Sequence, residues 1–189
     1  EQGIFFGEIT FYLSLVLLAI YSLLAIGLRS YIEPLIILTA VPFGFVGALI
    51  GHLIVDMPVS LYSFLGLFAA SGVVINDNLV LVDCIKGLKK EGMKFTEAIA
   101  EGGRMRFRAI ILTSITTFIG LTPIMLETSY QAIFIIPMVV SLTFGVLFAT
   151  FITLILVPCL YDIKDTISEK LSFLKSHDDE VAKEVGAAE

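Results

Sequence analysis

The sequence has no tryptophan, only two cysteines and two histidines in 189 residues, and only 16% of its residues are charged. A soluble globular domain carries about 25% Asp, Glu, Lys and Arg, so an ordinary water-facing surface is excluded. Cys84 and Cys159 each lie near the end of an apolar run. Their spacing fits neither zinc nor a disulfide framework, and both read as small apolar fillers. HExxH, nucleophile-elbow and phosphate-loop patterns are absent, which removes the common signatures of metalloprotease, hydrolase and nucleotide chemistry. No enzyme activity, cofactor, metal or nucleic-acid partner is expected. The methionines are scattered and form no metal-conducting ladder. No basic n-region followed by a small-residue cleavage site marks a signal peptide. The chain opens on Glu1 rather than Met and is expected to be a fragment of a longer polypeptide.

What is present is apolar: 57% of residues are hydrophobic, and the mean hydropathy is +0.96. These residues are gathered into blocks long enough to cross a bilayer, which takes about 20 residues at 1.5 Å rise each. Five spans are expected, at about 6–28, 35–55, 61–86, 109–125 and 134–161. The fold class is therefore an all-α membrane protein, a five-helix bundle over 1–162, followed by a polar tail over 163–189. Pro34 suits the first turn of the second span, whereas Pro42 lies inside it and should kink it. Gly47 and Gly51 form a small-xxx-small pair that permits close helix contact. Ser141, Gly145 and Ala149 make a second such stripe in the fifth span. Gly72 and Pro123 are further candidate points of flexibility.

Charge sets the expected topology. All twelve basic residues fall in alternate connections: Arg29, the seven between Lys86 and Arg108, and the four from Lys164 to Lys183. By the positive-inside rule the N-terminus faces out and the C-terminus faces the cytoplasm. Between Lys89 and Arg108, Phe95, Ala98 and Ile99 have helical spacing beside Glu97 and Glu101, with Gly102-Gly103 breaking the pattern. A short amphipathic helix on the cytoplasmic surface is expected there. Thr166 and Glu169 form a capping-box pair, so the tail is expected to hold a short helix lined by Ile167, Leu171 and Leu174. Disorder should follow from Ser176.

The third span carries the most unusual pattern, Asn76-Asp77-Asn78, in the middle of an apolar run. A carboxylate at the centre of a membrane helix costs about 2.5–3.5 kcal/mol on insertion scales, and such acids usually mark an ion or proton path. Successive residues are about 100° apart, so the three polar side chains sweep about 200° of the helix. The span should therefore lie inside a bundle. Asp77 is the leading candidate for a protonatable group. Asn76 and Asn78 read equally well as interhelical glue, worth about 1 kcal/mol or less each. Asp83, one turn from the end of the span, is expected to be solvated or paired with Lys86. Arg106 and Thr113 are seven apart on one helix face, with Thr117 and Gly120 continuing a stripe that could face the third span. A snorkelling role competes for Arg106, as it does for Arg104 and Arg108. His52 and Glu127 are expected in solvated, interfacial positions.

GVVINDNLVLVD (Gly72–Asp83), EGGRMRFRAIILTSITTFIGLTPIML (Glu101–Leu126) and RSYIEPLIILTAVPFGFVGALIG (Arg29–Gly51) together resemble the C-terminal membrane half of a resistance-nodulation-division efflux permease of the acriflavine-resistance type. The resemblance covers roughly residues 5 to 162. It implies the last five of twelve spans, in the bacterial inner membrane. It also implies partners in the N-terminal membrane half and periplasmic domains of the same parent protein, a homotrimer, and an adaptor with an outer-membrane channel. In that family proton flow drives drug efflux. The relay lysine falls by motif position on Asn76, the relay arginine on Arg106 and the relay threonine on Thr113. An amide cannot supply a lysine's charge, and Asp77 sits where the drug pumps commonly carry asparagine, so the charge layout departs from the family pattern. The alternatives are a related protein-export membrane subunit and a non-transport membrane scaffold or lipid-sensing bundle.

Overall fold

The computed structural model describes the backbone of residues 2–186 and the side chains of 7, 8, 11, 12 and 14–167. The described backbone is helical without strands. In order it forms α1 (Gln2–Leu28), α2 (Glu33–Leu38), α3 (Val41–Val55), α4 (Leu61–Lys90), α5 (Phe95–Met125), a 3-10 turn (Ala132–Phe134) and α6 (Ile136–Gly186). Four stretches, Glu33–Val55, Leu61–Lys90, Phe95–Met125 and Ala132–Ile167, are long and apolar enough to cross a membrane. The chain is an all-helical membrane bundle.

Local chemistry explains the boundaries. The second expected span is two helices, because Pro42 has no N–H and occupies the first turn of α3. The break is satisfied locally: the Thr39 hydroxyl donates to the Ile36 carbonyl at 2.6 Å, and the Phe43 amide donates to Ala40 O at 3.1 Å. Asp56 ends α3 in the left-handed region at φ 55°, where an aspartate is tolerated better than most residues. At the start of α4 the Ser60 amide donates to Ser63 Oγ at 3.0 Å.

Helix α6 is the central element and packs against α3, α4 and α5, while α1 packs chiefly on α2. Small residues set the close approaches. A Cβ added at Gly51 would lie 2.5 Å from the Phe144 Cβ, and one at Gly145 would lie 3.1 Å from the Gly44 carbonyl. Gly47 likewise faces Phe144 and Phe148. Gly66, which drew no notice in the sequence, abuts the Met138 backbone and would place a Cβ 2.9 Å from that of Ser141. The buried core includes Ile37, Leu81, Val82, Ile85 and Val157.

Two further boundaries differ from the sequence reading. The segment expected to be a separate surface helix is instead the first turns of α5, which runs through Gly102-Gly103 without a break. A glycine in a helix interior costs about 1 kcal/mol against alanine. Here Gly102 is buried, and a Cβ on it would meet Ile85 Cγ1 at 2.8 Å, so the glycine is needed for the close α4–α5 contact within a continuous helix. In the tail, α6 continues to Gly186 where a separate helix and then disorder were expected. No glycine or proline falls between Pro158 and Gly186 to stop it. The Leu171 and Leu174 side chains and residues 187–189 lie outside the described residues.

Candidate functional site

The Asn76-Asp77-Asn78 cluster sits in the unbroken middle of α4, and its three side chains have three environments. Asn78 is 2% exposed, Asp77 is half-buried and Asn76 is exposed. This is the wide sweep that 100° steps impose on consecutive residues. Asp77 Oδ2 and Asn78 Nδ2 are buried and make no hydrogen bond among the described residues.

Helix α5 supplies the facing surface. Its buried residues Ala98, Gly102, Ile110 and Ser114 lie in one row of fourth residues, and Arg106 occupies the remaining place in that row. Arg106 is half-buried, and its Nε has no partner. Contact between Gly102 and Ile85 sets the antiparallel register. Asp77 lies eight residues before Ile85, and Ile110 lies eight after Gly102, so both sit about 12 Å from that contact. Arg106 is one turn nearer the lysine-rich end than Asp77.

The expected polar stripe on α5 is rotated from the interior. Thr113 is exposed and donates to its own helix at Ala109 O, 3.0 Å. Thr117 donates to Thr113 O at 2.8 Å, and Gly120 is exposed. The inward hydroxyl is the next residue, Ser114, whose Oγ lies 2.7 Å from Thr150 Oγ1 on α6. One residue is 100° of rotation, so Thr113 and Gly120 lie outside the α4–α6 interior while Arg106 and Thr117 are half-buried at its edge. Thr143 on α6 is also buried, with its Oγ1 unpartnered.

Asp83 is exposed, but it is not the partner of Lys86. Lys86 Nζ pairs instead with Glu33 Oε2 at 2.7 Å and donates to Leu28 O. Lys164 pairs with Glu33 Oε1 at 2.9 Å, so one buried carboxylate joins α2, α4 and α6. An acid beside Pro34 at a span boundary was the available signal. His52 also departs from its expected solvated position. It is 3% exposed, with Nε2 3.0 Å from Ser141 Oγ and Nδ1 3.3 Å from Met57 O. The Gly66 and Ser141 approach brings α4 and α6 together there, and that closes water out.

The candidate flexible points differ in setting. Gly47, Gly51 and Gly145 are buried at helix contacts, whereas a Cβ at Gly72 would meet nothing within 4 Å. Pro42 follows the α2–α3 break, and Pro123 lies in the last turn of α5. No group of three or more His, Cys, Asp or Glu side chains among the described residues is arranged to hold a metal.

Residues 6–164 match the model of the AcrB/AcrD/AcrF family. The chain is 32% identical over 155 residues to a multidrug resistance protein MdtC from Proteus mirabilis (strain HI4320), covering 82% of this chain and 15% of the relative. It is 31% identical over 156 residues to the MdtC of Erwinia tasmaniensis, covering 82% of the chain and 15% of the relative. For the MdtC of Erwinia amylovora the figures are 30% over 152 residues, 80% and 15%. The chain thus matches about 15% of the length of these curated relatives. This chain belongs to the AcrB/AcrD/AcrF family of resistance-nodulation-division efflux permeases.

Proposed function

We propose that the chain is the C-terminal part of the membrane domain of a proton-driven multidrug or solute efflux transporter, and that Asp77 is its protonatable group. The observation that carries this reading is the set of buried, unpartnered polar atoms on facing helices: Asp77 Oδ2, Asn78 Nδ2 and Arg106 Nε. A buried polar atom left without a partner costs about 1–3 kcal/mol. Side chains that keep such atoms at membrane depth are poised to exchange partners. A carboxylate that gains and loses a proton does so, and each state favours a different packing of the bundle. Arg106 supplies the positive charge that Asn76 cannot.

The exposed polar residues support a larger assembly. Asn76 and Thr113 lie in membrane-length helices yet point out of the described bundle. Polar groups at that depth face protein or water-filled cavities rather than lipid, so this face is the one for the N-terminal membrane half of the parent protein. The periplasmic domains, homotrimer, adaptor and outer-membrane channel belong to the same reading. So do the bacterial inner-membrane location, with the N-terminus periplasmic and the C-terminus cytoplasmic, and the division into a bundle over 1–162 and a tail. Asn76 and Thr113 then complete the relay with groups of the other half, and Asp83 and Thr117 lie at its margin.

The test is Asp77→Asn in the full natural polypeptide, reconstituted in vesicles with an imposed pH gradient and a fluorescent drug. Efflux at least tenfold slower, at equal protein incorporation, is expected. Efflux at the wild-type rate would sink the reading and move the scaffold alternative forward.

A further inference from the structure

At the lysine-rich end of the bundle, the ends of α4 and of the apolar part of α6 frame an open cavity of about 310 Å³. Four lysines line it, Lys86, Lys89, Lys90 and Lys164, against two acids, Glu33 and Asp165. The excess is two positive charges. Glu33 is shared by Lys86 and Lys164, and Asp165 pairs with Lys89 at 2.9 Å. Lys90 is exposed and pairs with no acid among the described residues.

Donors outnumber acceptors in the same way. Each ammonium carries three N–H donors, and Lys89 and Lys164 each use one of theirs in a side-chain hydrogen bond. Tyr161 also lines the cavity, with its hydroxyl buried beneath the surface near Glu33. Rings form the apolar wall. Phe95 and Tyr161 stack at 6.0 Å with planes 20° apart, and the Lys89 ammonium lies 4.3 Å from the Phe95 centroid. An acceptor-rich anion with an apolar body satisfies both halves of this surface, and basic pockets between helices at a membrane boundary bind lipid head groups.

We infer that this cavity binds a phosphate-bearing anion, held by Lys89, Lys90 and Lys164, its remainder lying against the Phe95 and Tyr161 rings. The phosphate comes from the head group of an anionic phospholipid or from a soluble phosphate. Lys90 is the discriminating residue. It is exposed and lies outside the ion pairs that join the helices, so changing it leaves the fold intact.

The experiment is native mass spectrometry of the full natural polypeptide in detergent, titrated separately with phosphatidylglycerol, net-neutral phosphatidylcholine and inorganic phosphate. Thermal unfolding serves as the control for folding. Phosphatidylglycerol should bind at least tenfold tighter than phosphatidylcholine. Lys90→Glu should weaken phosphatidylglycerol at least fivefold, leaving phosphatidylcholine and the melting midpoint unchanged. If inorganic phosphate fails to displace the lipid, the lipid is the source. If inorganic phosphate binds in a Lys90-dependent way and phosphatidylglycerol does not, the source is soluble. Binding of both ligands that is indifferent to Lys90→Glu overturns the site, as does no binding of either. The readout is binding rather than efflux, so its failure would leave the proton-coupling reading standing.

Discussion

Glu33 and Lys86 meet at 2.7 Å across 53 residues of sequence, and Lys164 closes on the same carboxylate from 131 residues away. Removing one member of a buried pair leaves uncompensated charge and costs roughly 3–5 kcal/mol. The two lysine side chains here are 24% and 27% exposed, so water softens that cost. Glu33→Ala should lower stability by about 2–3 kcal/mol, read as an earlier unfolding midpoint in detergent. Glu33→Gln should recover part of the loss through its remaining acceptor. An unchanged midpoint for Glu33→Ala would show that the triad does not hold the lysine-rich end together.

The close contact of α3 with α6 yields a contrast between two glycines. Gly51→Ala drives a methyl into Phe144, and overpacking of this kind costs about 1–3 kcal/mol. Gly72→Ala meets open space and should stabilise the helix by roughly 0.5–1 kcal/mol. Denaturant unfolding of both variants reads the difference. A Gly51→Ala protein as stable as wild type would mean that α3 and α6 do not pack this closely.

His52 and Ser141 join α3 and α6 at the end of the bundle away from the lysines. Losing one partner from a buried hydrogen bond costs about 1–3 kcal/mol. His52→Ala and Ser141→Ala should each destabilise by that order. In a double-mutant cycle they should couple by about 0.5–3 kcal/mol. Additive losses would mean that the bond is not made.

Neighbouring hydroxyls on α5 should behave differently. Ser114→Ala breaks a buried contact with Thr150 and should cost about 1 kcal/mol. Thr113→Ala removes only a bond to its own helix and should leave stability within about 0.5 kcal/mol, yet slow pH-gradient-driven efflux. Equal stability losses for the two variants would place the wrong residue in the interior.

Much of this architecture could be read from the chain because membrane spans announce themselves by length and apolarity. The α2–α3 break follows from the chemistry of Pro42 alone, and the approach at Gly47 and Gly51 follows from residue size. Glu33 was signalled only as an acid beside Pro34 at a span boundary, since its role depends on lysines that only the folded bundle brings beside it. His52 was misread for the same reason: its burial comes from α6 closing over it, not from its own segment. The Arg106–Thr113 spacing placed both on one face, but not which side of Thr113 turns inward, because a one-residue shift rotates the stripe by 100° and no local pattern distinguishes the two. Gly102-Gly103 looked like a break because glycine is a poor helix former, while its close packing on Ile85 is a tertiary fact.

Asp77 as a proton carrier is the central claim, and infrared difference spectroscopy between acid and alkaline pH tests it most directly. In the full natural polypeptide, the account predicts a carboxylic-acid C=O band at acid pH that disappears in Asp77→Asn and persists in Asp83→Asn. An identical difference spectrum in Asp77→Asn would contradict it.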